Sequence, residues 1–309
     1  MSEIGEALRR KLARSDLQLL SVFMTVVERG GFTAAQVALN VSQSTISRQM
    51  SSLEQSLGLR LCERGRGGYR LREQGRLVYA ACQSLFAALE RFRSDVGAIS
   101  GQVIGQLSLA VIENWADDPA SPLPAALAAV KAQGPGLSLD LQCLAPDDIE
   151  RAVLDDRVAL GIGVFHRQQP GLTYQTLYDD PLELYCARSH PLFAAELRGP
   201  ADLEGADYVR RAYLAEEQVA PMTASLPSSA TAHQMEAVAQ LILSGRYIGY
   251  LPVAYARRWC ETGTLRSLLP DRLRLWTSLA LVRKPRPNPL ADLFMTGLQT
   301  ALAARVQAS

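Results

Sequence analysis

The sequence predicts an α/β protein that carries a separate, mostly helical module at its N-terminal end. Three observations predict it. Residues 107–304 alternate strand-like apolar runs with helix-length runs, the pattern of an α/β layer fold with parallel strands. Residues 15–58 show helical periodicity only and lead into a glycine-turned hairpin at 59–71. Between the two parts, Val78, Cys82, Leu85, Leu89, Phe92, Val96 and Ile99 recur at alternating steps of four and three, an a/d seam sustained for three heptads.

Residues 15–30 read as a first helix, capped by Ser15 or Asp16, with Leu17, Leu20, Phe23 and Val27 as its inward stripe. A short second helix follows, capped by Thr33. Its Ala34, Ala35, Ala38 and Leu39 allow a close helix crossing, and Asn40-Val41 makes the turn. Ser42 caps the third helix, Ile46, Met50, Leu53 and Leu57 form its apolar stripe, and Gly58 ends it. The opposite face carries Gln43, Ser44, Thr45, Ser47, Arg48, Gln49, Ser51 and Ser52, with no carboxylate until Glu54. A face of Gln, Ser, Thr and Arg approaches phosphates and base edges without repulsion, and Gln and Arg bond bases bidentately. The spacing fits a helix-turn-helix. An amphipathic core hairpin would show the same stripe, so the surroundings must decide.

The string LRLCERGRGGYRLREQG at 59–75 supplies them. Leu59, Leu61, Tyr69 and Leu71 alternate inward, and Gly65, Gly67 and Gly68 supply a hairpin turn. Arg60, Arg64, Arg66, Arg70 and Arg72 project around it, interrupted by Glu63 and Glu73. A solvated turn usually mixes signs; this one suits a wing that grips phosphates or the minor groove. Residues 1–76 hold 12 Lys/Arg against 7 Asp/Glu, a net of +5, and the remainder holds 20 against 24, a net of −4, within a total of +1. A basic end on a mildly acidic body suits a nucleic-acid module joined to something else.

The heptad seam lies within 73–100, about 40 Å of helix at 1.5 Å per residue. A two-in-seven stripe suits a partner helix, although a core helix of the next domain remains open. Dimerisation would carry two recognition helices to successive major grooves.

In the rest of the chain, strands are expected at 107–112, 137–144, 158–164, 182–187, 208–209, 247–251 and 275–282. Helices are expected at 123–132, 147–154, 232–244, 253–258 and 289–304. Ligands in such folds collect at the carboxyl ends of strands. Those ends offer Glu113, Asn114 and Trp115, then Pro146, then Phe165, and later Arg210, Arg211 and Tyr213. Ser228, Ser229 and Thr231 precede the helix at 232–244, whose N-terminal N–H groups suit an anion. Trp115 facing that helix end would suit a small, flat, acidic effector.

Catalysis finds little support. The sequence has no GxSxG, P-loop or GxGxxG string, and His166, His190 and His233 lack metal-ligand spacing. Cys62, Cys82, Cys143, Cys186 and Cys260 are odd in number with no CxxC pair, which fits reduced thiols, with neither zinc nor disulfides expected. No cofactor is expected. There is no run of 18 apolar residues, and the polar N-terminus does not read as a secretory signal; a cytoplasmic location is expected.

The N-terminal part resembles the DNA-binding module of LysR-type transcriptional regulators. The resemblance rests on Leu17, Phe23, GFTAA at 31–35, Leu39, SQSTISRQ at 42–49, Leu53-Glu54, Leu57-Gly58 and ERGRGGYRL at 63–71. RVALGIG at 157–163, SHPL at 189–192 and GRYIGYLP at 245–252 resemble the family's effector domain less specifically. Gly31 stands where the family usually has serine, Cys62 for phenylalanine, Arg72 for threonine and Ala159 for aspartate; the first change removes a phosphate contact and the third adds charge near DNA.

The resemblance implies a winged helix-turn-helix over 1–72, a dimerising linker helix over 73–100, and an effector domain over 101–309. That domain has two α/β lobes like a periplasmic binding protein, one at about 105–179 and 276–309, the other at about 180–275. DNA contacts are expected from Thr33, Ser42, Gln43, Ser44, Thr45, Ser47, Arg48, Arg64 and Arg66. Effector contacts are expected from Asn114, Trp115, Pro146, Phe165, Arg210, Tyr213 and Thr231. The expected partners are double-stranded DNA, a small-molecule effector, a second copy through the linker helix, a homotetramer and RNA polymerase, with no membrane. A solute-binding protein or an α/β enzyme built on the same lobes is the alternative. The basic N-terminus argues against the first, and the missing catalytic constellation against the second.

Overall fold

The structure, a computed structural model, describes residues 14–65, 68–99, 103–118, 121–212, 223 and 226–308. Side chains at 14, 15, 64, 65, 68, 95, 98 and 306–308 are outside the description. The chain divides into two compact units, Met1–Leu89 and Glu90–Ser309.

In the first unit, α1 (Arg14–Glu28), α2 (Phe32–Leu39) and α3 (Gln43–Leu57) pack on the hairpin β1 (Cys62–Gly65) and β2 (Gly68–Leu71). The strands pair antiparallel from Cys62 opposite Leu71 to Gly65 opposite Gly68. The stripe on α3 buries Ile46, Met50 and Leu53 against Phe23, Val26, Ala35 and Leu61. Asn40 takes the left-handed conformation that the turn needs (φ 52°), and Gly58 does the same at the end of α3 (φ 67°).

Two local expectations, both of helix caps, fail here. Helix α1 already runs at Arg14, so Ser15 and Asp16 sit inside its first turn. Its inward stripe stands as expected, with Leu20 and Phe23 buried and Leu17 and Val27 packed on the same core, and Val26 joins it. Thr33 does not cap α2, because that helix starts two residues earlier than such a cap would allow, at Phe32, with Gly31 as N-cap.

Helix α4 (Glu73–Ile99) follows the wing. Its first half closes the module: Cys82 is buried, and Val78, Tyr79, Leu85 and Phe86 pack on the same core. The heptad seam is therefore divided. Only its last members, Phe92, Val96 and Ile99, are exposed.

The second unit holds, among the described residues, a seven-stranded sheet of order β10-β6-β11-β5-β3-β4, with β9 also on β6. The strands are β3 (Gln106–Val111), β4 (Ser138–Cys143), β5 (Leu160–Val164), β6 (Thr173–Ala187), β9 (Gly249–Pro252), β10 (Leu265–Ser267) and β11 (Leu275–Arg283). Strand β3 runs parallel to β4 and β5. Strand β11 runs antiparallel to β5 and β6, and so do β9 and β10 to β6. The sheet is thus mixed, where a parallel one was expected.

Helices α5 (Leu123–Gln133) and α10 (Pro289–Ala308) lie on one face, with Val130, Phe294 and Leu298 in the core. Helix α6 (Pro146–Leu154) covers the other. Ile149 of α6 comes so close that a Cβ at Gly161 would meet its Cγ2 at 2.1 Å, which explains glycine in the string LGIGV. Strand β6 continues beyond β11. Its second half pairs with β9 on one edge and β10 on the other, and there begins a second core of Leu184, Cys186, Tyr208, Ile248 and Tyr250. Strands β7 (Val209–Arg211) and β8 (Ala230–Ala232) pair parallel beside it. Helices α7 (Met235–Leu243), α8 (Val253–Glu261) and the short α9 (Pro270–Leu273) complete this part. The helix expected over 232–244 therefore starts three residues late, because Ala230–Ala232 joins a strand. Among the described residues no helix is long and apolar enough to cross a membrane.

Candidate functional site

The first candidate face is that of α3. Ser42 Oγ accepts the Thr45 N–H at 3.2 Å and lies 2.8 Å from Ser44 Oγ and 2.9 Å from Thr45 Oγ1. The cap fixes the helix start and presents a row of hydroxyls there. Gln43, Ser44, Arg48, Ser51 and Ser52 are exposed, and Thr45, Ser47 and Gln49 half-buried. Arg48 makes no hydrogen bond or ion pair among the described residues. The helix's single carboxylate, Glu54, is 6% exposed and turned the other way. It accepts the backbone N–H groups of Leu61 at 2.7 Å and Cys62 at 3.3 Å, and pairs with Arg60 at 3.4 Å. One buried acid thus ties the helix to the hairpin and leaves the exposed face free of negative charge.

Around the hairpin, Arg70 is exposed, while Arg72 pairs with Glu63 at 3.1 Å, so the charge it adds is locally balanced. Arg66 and the Arg64 side chain lie outside the described residues. Thr33 is exposed on the first turn of α2. Gly31 has φ 145°, and a Cβ there would stand 3.2 Å from Tyr69 Cβ. Glycine at 31 therefore lets the chain pass the Tyr69 ring, which stacks edge-on to Phe32 with centroids 5.9 Å apart.

The second candidate is a cavity of about 40 Å³ within the second unit. The carboxyl end of β3 meets it through Ile112, Glu113, Asn114 and Trp115, and the crossing strands through Tyr178, Asp180, Leu182, Thr277 and Leu279. Arg211, Met235, Pro252 and Tyr255 complete it from the far side. Trp115 Nε1 donates to the Tyr178 hydroxyl at 2.5 Å. Asp118 accepts from Arg305 at 2.8 Å and from Tyr178 at 3.4 Å, with the Arg305 guanidinium 3.8 Å above the Tyr178 ring. Burial, and next the Asp118 charge, pushes the Asp180 carboxyl up to about 6. The Glu113 carboxylate accepts the backbone N–H of Met235, the first residue of α7.

Of the residues expected at an effector site, Asn114 and Trp115 line this cavity. Pro146 does not; it is buried at the start of α6, because β4 is the outer strand and its end is remote from the crossing strands. Phe165 does not either. Val164 faces the cavity, and the next side chain turns to the opposite face, where Phe165 meets Tyr174 edge-on with centroids 5.5 Å apart. The same alternation puts Arg211 inward and Arg210 outward, where Arg210 donates to Thr231 at 3.4 Å. Thr231 is thus also off the cavity. Tyr213 lies outside the described residues. Ser229 donates to Asp207 through its backbone N–H and its hydroxyl, and Glu113 already occupies the helix end offered to an anion.

Tyr178 and Asp180 lie in TYQTLYDDP, before the strand expected at 182–187, in the part by which the strand is longer than expected. Their signal was the alternation of Tyr174, Thr176, Tyr178 and Asp180.

Residues 17–76 match the family described as "Bacterial regulatory helix-turn-helix protein, lysR family", and residues 100–303 match the "LysR substrate binding domain". The chain belongs to the LysR family of transcriptional regulators. This LysR-type regulator is 39% identical over 287 residues to the HTH-type transcriptional activator BauR of Pseudomonas aeruginosa, covering 91% of this chain and 93% of that one. It is 27% identical over 265 residues to the HTH-type transcriptional activator AaeR of Escherichia coli, covering 82% of each. Its fold matches the LysR family regulator CbnR with a TM-score of 0.69 at 20% identity, covering 93% of this chain and 99% of CbnR. CbnR complexed with its target DNA matches with a TM-score of 0.68. The LysR-type protein is thus a DNA-binding regulator with an effector domain, and its relatives are regulators, not enzymes.

Proposed function

We propose that this regulator reads duplex DNA with Ser42, Gln43, Ser44, Thr45, Ser47 and Arg48, assisted by Thr33 and by Arg64 and Arg66 of the wing. One observation carries the reading: the exposed face of α3 has no carboxylate, since Glu54 is drawn into the hairpin junction. Such a face meets phosphates and bases without repulsion. The test is fluorescence anisotropy of the full-length protein on the duplex upstream of its own gene, in a salt series. Counterion release requires log K to fall linearly with log salt. Salt-independent binding would reject the reading.

We further propose the division 1–72, 73–100 and 101–309, with lobes at about 105–179 with 276–309 and about 180–275. A small-molecule effector would occupy the cavity lined by Asn114 and Trp115, where both lobes contribute. It acts by binding one lobe arrangement more tightly than another. The protein would be a homodimer through α4, supported by exposed Leu77, Phe92, Val96 and Ile99. We also propose a homotetramer, contact with RNA polymerase and a cytoplasmic location, by analogy with the family.

A further inference from the structure

We propose that the second unit carries a further ligand site, between α8 and β10 and apart from the cavity at Asn114 and Trp115. It takes an amphiphilic monocarboxylate, with the negative head on Arg257 and a medium-length apolar body laid along the helix.

The site is a pocket of about 370 Å³. Val253, Arg257 and Cys260 line it from one face of α8, at steps of four and three. Ala254 and Tyr255, on another face of the same helix, line the first cavity. The two spaces therefore share α8 as a wall and remain separate.

Charge decides the head of the ligand. The pocket's one acid is already balanced: Glu183, 7% exposed, accepts from Arg274 Nε at 3.0 Å and from the Tyr185 hydroxyl at 3.3 Å. Arg266 belongs to the lining strand, but alternation turns its guanidinium to the opposite face, where it donates to the carbonyls of Phe193 and Ala195. Arg257 is left. It is exposed and makes no hydrogen bond or ion pair among the described residues, although Glu261 lies one turn further on. One uncompensated cation matches one negative charge.

The body is set by the walls. Val253 and Leu265 are apolar, and burial pushes the Cys260 thiol up, so it stands neutral beside them. The remaining polar atom is Ser267 Oγ, buried with no hydrogen-bond partner. A buried hydroxyl requires one, and an oxygen of the ligand supplies it. At about 30 Å³ per water the pocket holds roughly a dozen water-sized groups, the bulk of an acid of about eight to ten carbons and within the range of small-molecule sites.

The test is isothermal titration and thermal unfolding of the full-length protein with octanoate and decanoate below their micellar range, against octanamide and acetate. At least one of the long acids should bind once per chain and raise the melting temperature. Octanamide, without the charge, and acetate, without the body, should bind about tenfold more weakly or worse. Arg257→Gln changes an exposed side chain and should weaken the long acid about tenfold or more, with DNA binding retained as the control for folding. Ser267→Ala should weaken it as well. No response to either long acid overturns the proposal, as does equal binding of octanamide or an affinity that Arg257→Gln leaves intact. Loss with Asn114→Ala but not with Arg257→Gln would place the acid in the first cavity and likewise overturn the separate site.

Discussion

The Glu113 carboxylate, on the loop after β3, accepts the backbone N–H of Met235 at the start of α7. The two residues are 122 positions apart and stand on opposite walls of the cavity. An acid at a helix N-terminus gains from both the hydrogen bond and the helix dipole, so the contact holds the walls together. Glu113→Ala should lower the stability of the effector unit by about 1–2 kcal/mol in urea unfolding. Exchange of the first amides of α7 should quicken. Unchanged exchange there would show that the contact does not hold the walls.

Glu54 plays the corresponding part in the DNA-binding unit. Its carboxylate satisfies two buried N–H groups, those of Leu61 and Cys62. Glu54→Ala orphans both, at a cost of about 1–3 kcal/mol each. The expected result is a lower melting temperature with weakened binding to every DNA sequence alike. Selective loss at one base position would instead mean that Glu54 touches DNA.

Much of this was legible in the sequence, and the failures share a cause. Helix α3 was readable end to end, because Ser42, Gly58 and the spacing of Ile46, Met50 and Leu53 are local signals. The cavity was half readable. Asn114 and Trp115 follow an obvious strand, but Tyr178 and Asp180 lie where Asp179-Asp180-Pro181 discourages strand assignment. The strand exists there because β11 pairs along it from Leu275 to Arg283, a contact across about a hundred residues that no local pattern encodes. Choosing Arg210 over Arg211 was a one-residue slip, which in a strand exchanges the two faces. Helix α4 failed differently: Val78 and Cys82 fit a zipper, yet they also complete the core left open by α1–α3.

Arg48 is exposed and makes no ion pair among the described residues. Arg48→Ala should weaken operator binding and relax discrimination at one base position by about 1–3 kcal/mol. Equal losses across all operator variants, measured by anisotropy, would assign Arg48 to the phosphates instead.

The division of the α4 seam separates two outcomes. Phe92→Asp combined with Ile99→Asp alters exposed positions and should yield folded monomers in sedimentation. Leu85→Asp, which meets the core of the DNA-binding unit, should chiefly unfold that unit, by about 2 kcal/mol or more. Intact dimers from the first variant would place the interface off this helix.

Asp180 should leave a signature in the pH dependence of stability. Its carboxyl moves from an ordinary 3.8 to about 6 in the folded protein, through burial first and the Asp118 charge second, with Arg305 and Arg211 opposing. Between those two values the folded state keeps a proton that the unfolded state has lost, so stability falls as pH rises through the window. Above about pH 6 the ionised group weighs on the native state by at most about 3 kcal/mol, at about 1.36 kcal/mol per pK unit. Asp180→Asn removes that penalty. The variant should be more stable than the parent at pH 7–8, and the difference should close below about pH 4. A parent profile already flat between pH 4 and 7 would mean that Asp180 meets a compensating charge without any ligand.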